Sequence, residues 1–166
     1  MKLKNMLLLV LVIAGVLFAG CFNNTNTGDL PGSDIITKMN LPVGFAYMGI
    51  HETQVEIGTN MVNATEGVYR YEGNDIYIQI IKNDRPEALL EQYISKLKEE
   101  FKTGENPFEE ITINGHKATQ VKDFTILKGE QVPRYSITWA NDKYMFIVGR
   151  SSDPSVARSL ATATGS

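Results

Sequence analysis

The chain has 166 residues, room for one domain of ordinary size. Its 16 Lys and Arg against 19 Asp and Glu leave a formal charge of -3, and no basic cluster stands out, so the attraction that drives nucleic-acid binding is missing. One Cys and two His exclude an intramolecular disulfide and a Cys-based zinc site and leave little for a transition-metal centre; no metal or cofactor is expected.

The N-terminus has the layout of an export signal. Lys2 and Lys4 form a short positive region, and Met6 to Gly20 then run without a charged or strongly polar side chain. That run is shorter than the roughly 20 residues a helix needs to span a bilayer. It ends in Phe18-Ala19-Gly20-Cys21, which resembles the lipobox of prokaryotic lipoproteins, with Phe18 where Leu is usual and Leu17 one place earlier. The resemblance implies that residues 1–20 are a signal peptide, and that Cys21 becomes a diacylglyceryl-modified N-terminus, an attachment point with no catalytic role. The competing reading makes Cys21 the last apolar residue of an uncleaved anchor or a small buried hydrophobe.

Cleavage after Gly20 removes Lys2 and Lys4, so 14 basic side chains face 19 acidic ones and the charge becomes -5. Anionic headgroups would not hold such a domain, which leaves attachment to the lipid. Residues 21–34, continuing as FNNTNTGDLPGSD, carry few large apolar side chains and are expected to form a flexible tether, with one domain following over 35–166. Asn23-Asn24-Thr25 and Asn63-Ala64-Thr65 fit the N-glycosylation sequon, a pattern that also arises by chance.

Within the domain, Leu41 to Gly58 alternates apolar and polar side chains and predicts two short strands or one bent strand. Gly67 to Tyr71 and Ile76 to Ile81 are strand-like about the turn Glu72-Gly73-Asn74-Asp75. Ile76, Ile78 and Ile80 would share the core face, with Tyr77, Gln79 and Ile81 on the other. The period then changes. Asp84 as N-cap, Pro86 in the first turn and Glu87 in capping-box spacing open a helix over about Pro86 to Lys102. Leu89, Leu90, Tyr93, Ile94, Leu97 and Phe101 form its apolar stripe, and Thr103-Gly104 and Asn106-Pro107 end it.

Asn114-Gly115 between Ile111-Thr112-Ile113 and His116-Lys117-Ala118 predicts a hairpin with a type I′ turn. The returning strand runs through Val121 towards Leu127, and strands Arg134 to Ala140 and Tyr144 to Gly149 follow, separated by Lys128-Gly129-Glu130 and Asn141-Asp142-Lys143. Asp153-Pro154 starts a short C-terminal helix through Val156, Ala157, Leu160 and Ala161. The connections are too short for parallel crossovers. The expected class is therefore α+β: an antiparallel sheet of about six to seven strands covered by the mid-chain amphipathic helix and the short C-terminal helix.

The order of these pieces is similar to that of the PsbP-like fold over about residues 41–163. The likeness rests on Leu41-Pro42-Val43-Gly44-Phe45, the mid-chain helix, the Ile111 to Ala118 hairpin, the Gly129 turn, Tyr135 to Trp139, Tyr144 to Gly149 and the helix after Ser152. That group includes exported prokaryotic lipoproteins. Its members are mostly adaptors or accessory subunits without an active site, which is what the resemblance implies here.

Catalytic signals are sparse. His51 and His116 lie near no nucleophile motif, and Glu99-Glu100 and Glu109-Glu110 are adjacent pairs whose side chains diverge. Asn74-Asp75 and Asn141-Asp142 offer too few oxygens for calcium. Tyr69, Tyr71, Tyr77, Trp139, Tyr144 and Phe146 would bind an apolar or sugar ligand if several opened onto one concave face, and otherwise pack the core. No catalytic residue is assigned and no enzyme is expected. The leading expectation is a lipid-anchored extracytoplasmic domain at the cell membrane, an adaptor or accessory protein for another envelope protein. The alternative is a carrier or sensor of a small apolar ligand held between sheet and helix. A hydrolase would need a buried, pKa-shifted carboxylate or His.

Overall fold

The computed structural model describes residues 30–101 and 106–166. In chain order these form α1 (Ser33–Lys38), β1 (Phe45–Ile57), β2 (Asn60–Tyr71), β3 (Asn74–Lys82), α2 (Pro86–Glu100), β4 (Phe108–Ile113), β5 (His116–Leu127), β6 (Glu130–Ala140), β7 (Tyr144–Ser151) and α3 (Pro154–Ala163). The strands make one seven-stranded sheet in the order β1-β2-β3-β7-β6-β5-β4, with every pairing antiparallel. The first three strands form one meander. After α2 the chain starts again at the far edge and works inward until β7 closes against β3. The expected α+β class, strand number and two covering helices are those of the molecule.

Alternation along β3 divides the core between the two faces of the sheet. Ile76, Ile78 and Ile80 pack with Tyr69, Ile137, Trp139, Phe146 and Val148 under Ile36 of α1 and Ala157, Leu160 and Ala161 of α3. Ile81 is equally buried on the opposite face, where Met145, Ile147, Ala140, Val55 and Ile57 meet Leu90 of α2. The molecule thus has three layers, helix on both faces of the sheet. Leu89, Tyr93 and Ile94 of the predicted stripe lie against this second cluster.

Several boundaries differ from expectation. β1 is one strand of 13 residues with an irregularity between Tyr47 and Gly49. β2 starts at Asn60, because Asn60 to Thr65 find ladder partners from Glu52 to Ile57 in β1. The Asp84–Glu87 capping box does not form. Arg85 is the N-cap of α2 without a side-chain cap bond, and its backbone N–H donates to Asn83 Oδ1 at 2.8 Å. Pro86 does occupy the first turn. Asp153 caps α3, accepting from the Ser155 backbone N–H at 2.8 Å. At the Asn114-Gly115 turn both residues have positive φ, 49° and 88°, as a type I′ turn requires.

α1 lies partly within the stretch read as tether. Ser33 and Asp34 are helical, and Gly32 and Ser33 are buried. Residues 1–29 carry the signal-peptide and Cys21 assignments and most of the tether; with the Thr103-Gly104 stop, they lie outside the described residues.

Candidate functional site

Of the predicted aromatic candidates, only Tyr71 and Tyr77 share a concave face, a cleft of about 470 Å³ whose lining mixes Leu127, Val132 and Pro133 with Asp75, Arg134 and Arg150. Tyr69, Trp139 and Phe146 are fully buried on the α1 and α3 side. Trp139 and Phe146 stack at 4.7 Å, and the indole N–H donates to the Ser166 carbonyl oxygen at 3.1 Å. The Tyr69 hydroxyl donates to the Ile36 carbonyl at 3.1 Å, tying β2 to α1. Tyr71 and Tyr144 are half-buried, while Tyr77 alternates to the opposite face and is 36% exposed. Large side chains are needed under two helices, and core packing accounts for Tyr69, Trp139, Tyr144 and Phe146, but not for Tyr71 and Tyr77.

The polar candidates are engaged with one another. His51 Nε2 lies 3.2 Å from Glu66 Oε1, and the second Glu66 oxygen accepts from Gln79 Nε2 at 2.6 Å. His116 is half-buried at the β4–β5 hairpin. Glu109 and Glu110 diverge as expected: Glu109 meets Gln120 and Arg158 of α3, and Glu110 pairs with Lys117. Glu99 and Glu100 are exposed on α2, and Asn63 is exposed on β2, where its Oδ1 accepts from Gln54 Nε2 at 3.0 Å. Two carboxyls, both at the surface, are held below their usual range: Asp75 by the Arg70 guanidinium, and Asp153 by the Ser155 hydroxyl and backbone N–H. Among the described residues no group of three or more His, Cys, Asp or Glu stands ready to hold a metal ion, and no helix is long and apolar enough to cross a membrane.

A groove of about 360 Å³ runs between the second half of α2 and the sheet. Tyr93, Leu97 and Phe101 overhang a floor that includes Glu66, Gln79, Asp123 and Arg150. Two of its carboxylates already have partners, since Asp123 accepts from Arg134 Nε and Nη2, both at 3.1 Å, and Glu66 is shared by His51 and Gln79. Burial raises the Tyr93 phenol above its ordinary value, and the positive charge of Arg150 works against that rise. Such a surface suits water or a polar group better than an apolar ligand.

Apolar surface is exposed elsewhere. β4 pairs with β5 only from Val121 back to His116, yet β5 continues to Leu127 and pairs with β6 through Leu127–Glu130. On the other side, β6 follows β7 with a register shift: Tyr135 meets Ser151 and Ile137 meets Val148, so β7 holds one extra residue there. The last turn of the β5–β6 hairpin consequently stands out as a two-stranded ribbon. Phe124, Ile126 and Leu127 on it are 46%, 69% and 58% exposed. The sequence marked a strand towards Leu127, but nothing local shows that β4 and β7 stop short of it.

No family model matches the chain, and no curated protein matches it. Among solved structures, the crystal structure of a GTP-binding regulator from Thermotoga maritima is similar at a TM-score of 0.46 and 10% identity, over 79% of this chain and 82% of that one.

Proposed function

We propose that the chain is a lipid-anchored extracytoplasmic domain without a catalytic site, an adaptor or accessory protein that binds another envelope protein. The anchor is Cys21, after removal of residues 1–20, with the chain up to about Leu30 as its tether. The observation that carries the adaptor half is where apolar surface is exposed. Besides scattered side chains such as Met61, three lie together on the ribbon at Phe124, Ile126 and Leu127, while the groove beside α2 has a polar and charged floor and the cleft at Tyr71 and Tyr77 a mixed lining that includes Asp75, Arg134 and Arg150. Exposed apolar clusters of this kind mark sites of protein association. A carrier of an apolar ligand would instead need an apolar cavity of several hundred Å³.

Intact-mass analysis of the protein from membrane fractions tests the anchor, beside a Cys21→Ser variant. The expected wild type lacks residues 1–20 and carries a diacylglyceryl group, whereas the variant is unmodified and leaves the membrane fraction. A wild type recovered full length and unmodified would overturn the proposal.

A further inference from the structure

The ribbon offers backbone as well as side chains. The Lys122 N–H donates to the Pro107 carbonyl at 2.9 Å, so at Lys122 the backbone of β5 points to its outer edge. With a repeat of two residues, the N–H and C=O of Phe124 and Ile126 aim the same way. Pro133, which has no N–H to give β5, stands opposite Phe124, as this phase requires. Among the described residues the outer edge of β5 has no strand partner beyond this point.

Open edges invite another strand unless they are protected. The two lateral edges of the sheet are protected. β1 carries His51, Glu52 and Glu56 in its second half, and in its uncharged first half, where Tyr47 and Met48 are exposed, the irregularity at Tyr47–Gly49 breaks the regular edge; β4 is only six residues long and carries Glu109 and Glu110. From Phe124 to Leu127 the ribbon has no charged side chain. Lys122, whose Nζ lies 5.2 Å from the Phe124 ring centroid, and Lys128 bound this apolar run at either end.

We propose that the β5 edge at Phe124–Leu127 docks an extended segment of another protein, which adds to the sheet as a strand. Two residues of that segment exchange backbone hydrogen bonds with Phe124 and Ile126. Its apolar side chains alternate so as to lie beside theirs, and acidic residues flank it, facing Lys122 and Lys128. This deepens the adaptor reading, on which it rests, by naming the surface and the chemistry of the partner.

A second copy of the chain fits the edge poorly. Pairing Phe124 with Ile126 of a second copy gives the most backbone bonds, but it brings Lys122 opposite Lys128 of that copy. Phe124, Ile126 and Leu127, at 46%, 69% and 58% exposure of side chains of about 150–250 Å² each, offer roughly 300 Å² per copy. That area is the same for any strand that adds here, so the lysines decide: they repel a second copy and attract a segment flanked by Asp or Glu. The membrane fits poorly as well. Leu30, the first described residue, lies beside Lys82 and Asp84 at the end of β3, while the ribbon stands at the opposite end of the sheet, beyond Asn74. A domain standing on its tether holds the ribbon away from the bilayer.

The test places a photo-crosslinking phenylalanine analogue at Thr125 in the full chain, expressed in its native cells, and maps adducts by mass spectrometry. The expected adduct joins Thr125 to one envelope protein, at a segment of alternating apolar residues flanked by Asp or Glu. Its yield falls about tenfold with Phe124→Pro, which removes an outward N–H, and likewise with Ile126→Glu, which leaves the backbone intact. Glu56→Pro, on the β1 edge, leaves the yield unchanged. An adduct of twice the chain mass, an adduct only with lipid, a mapped segment without that pattern, a yield insensitive to Ile126→Glu, or no adduct would each overturn the proposal. The intact mass at Cys21, measured on the same samples, reports the anchor separately, so failure of the edge and failure of the anchor are distinguishable.

Discussion

Replacing Tyr69 by phenylalanine tests whether α1 belongs to the folded domain. The Tyr69 side chain is fully buried, and its hydroxyl donates to the Ile36 carbonyl at 3.1 Å. Removing a neutral hydrogen bond costs a net ~1 kcal/mol. Burial, first, and the neighbouring Tyr47 phenol push the Tyr69 ionisation well above its ordinary value. The unfolded chain therefore ionises Tyr69 from about pH 10 while the folded chain does not. The stability contributed by the neutral phenol is complete below that pH and is lost as pH rises towards the folded value, by about 1.4 kcal/mol per pH unit. The Tyr69→Phe variant has no phenol at this position and loses nothing there, whereas Tyr47 and Tyr93, whose phenols are also raised by burial, titrate in both proteins. Urea denaturation should therefore show wild type more stable by ~1 kcal/mol at pH 8, and the two equal near pH 11. Ile36→Ala removes another part of the same contact, at a cost limited to the free energy of docking α1, so the double variant should lose less than the two singles together. A Tyr69→Phe difference of zero at pH 8, or one that stays constant to pH 11, would refute the docking of α1 by this bond.

Gly149 opposes Ser136, and a Cβ there would sit 2.8 Å from Ser136 Cβ and 3.1 Å from its Cα, so Gly149→Ala should destabilise by about 1–3 kcal/mol in thermal unfolding, with Ser136→Gly restoring part. Asp153 has a depressed folded pKa; its contribution is present above the unfolded carboxyl value and is lost as pH falls through the folded one, so Asp153→Ala should lower stability at pH 7 but not at pH 2, by circular dichroism. Gln120 is buried and bonds both Glu109 and Arg158, so Gln120→Ala should cost about 1–2 kcal/mol and loosen α3, seen as faster amide exchange over that helix. Ile126→Glu, on the exposed ribbon, should change the unfolding free energy by less than about 0.5 kcal/mol, which separates its effect on docking from any effect on folding.

Much of the fold was legible because the relevant signals are local. Ile76, Ile78 and Ile80 alternate onto one face, Asn114-Gly115 accepts positive φ, and Pro86 and Asp153-Pro154 open helices where they stand. What escaped depends on contacts distant in sequence. Six residues of α1 are too few to hold a helix alone, and packing of Ile36 against Tyr69, 33 residues later, makes it part of the domain. Asn60 to Glu66 carry no clear alternation, and β1 supplies the ladder that makes them strand. Asp84 carried a capping signal, but Arg85 takes the cap position and Asn83 accepts the Arg85 N–H. The ribbon was only half legible: Phe-Thr-Ile-Leu alternates like any strand, and its exposure follows from where β4 and β7 end.

The same architecture that buries Tyr69, Trp139 and Phe146 creates the ribbon. Helices on both faces claim Tyr69, Trp139 and Phe146 on one side and Met145 and Ile147 on the other, so neither face of the sheet is left as an apolar platform. What remains open is a sheet edge. β4, at six residues, leaves the second half of β5 uncovered, and the extra residue of β7 across from Tyr135–Ile137 shifts the register where β6 departs from β7. An antiparallel hairpin that outruns both neighbours must expose backbone groups on its two sides, and those groups bond to water or to another strand. Charge on the ribbon would favour water. The run from Phe124 to Leu127 instead pairs outward-facing amides with apolar side chains, a combination that gains from a strand partner through hydrogen bonds and area burial together.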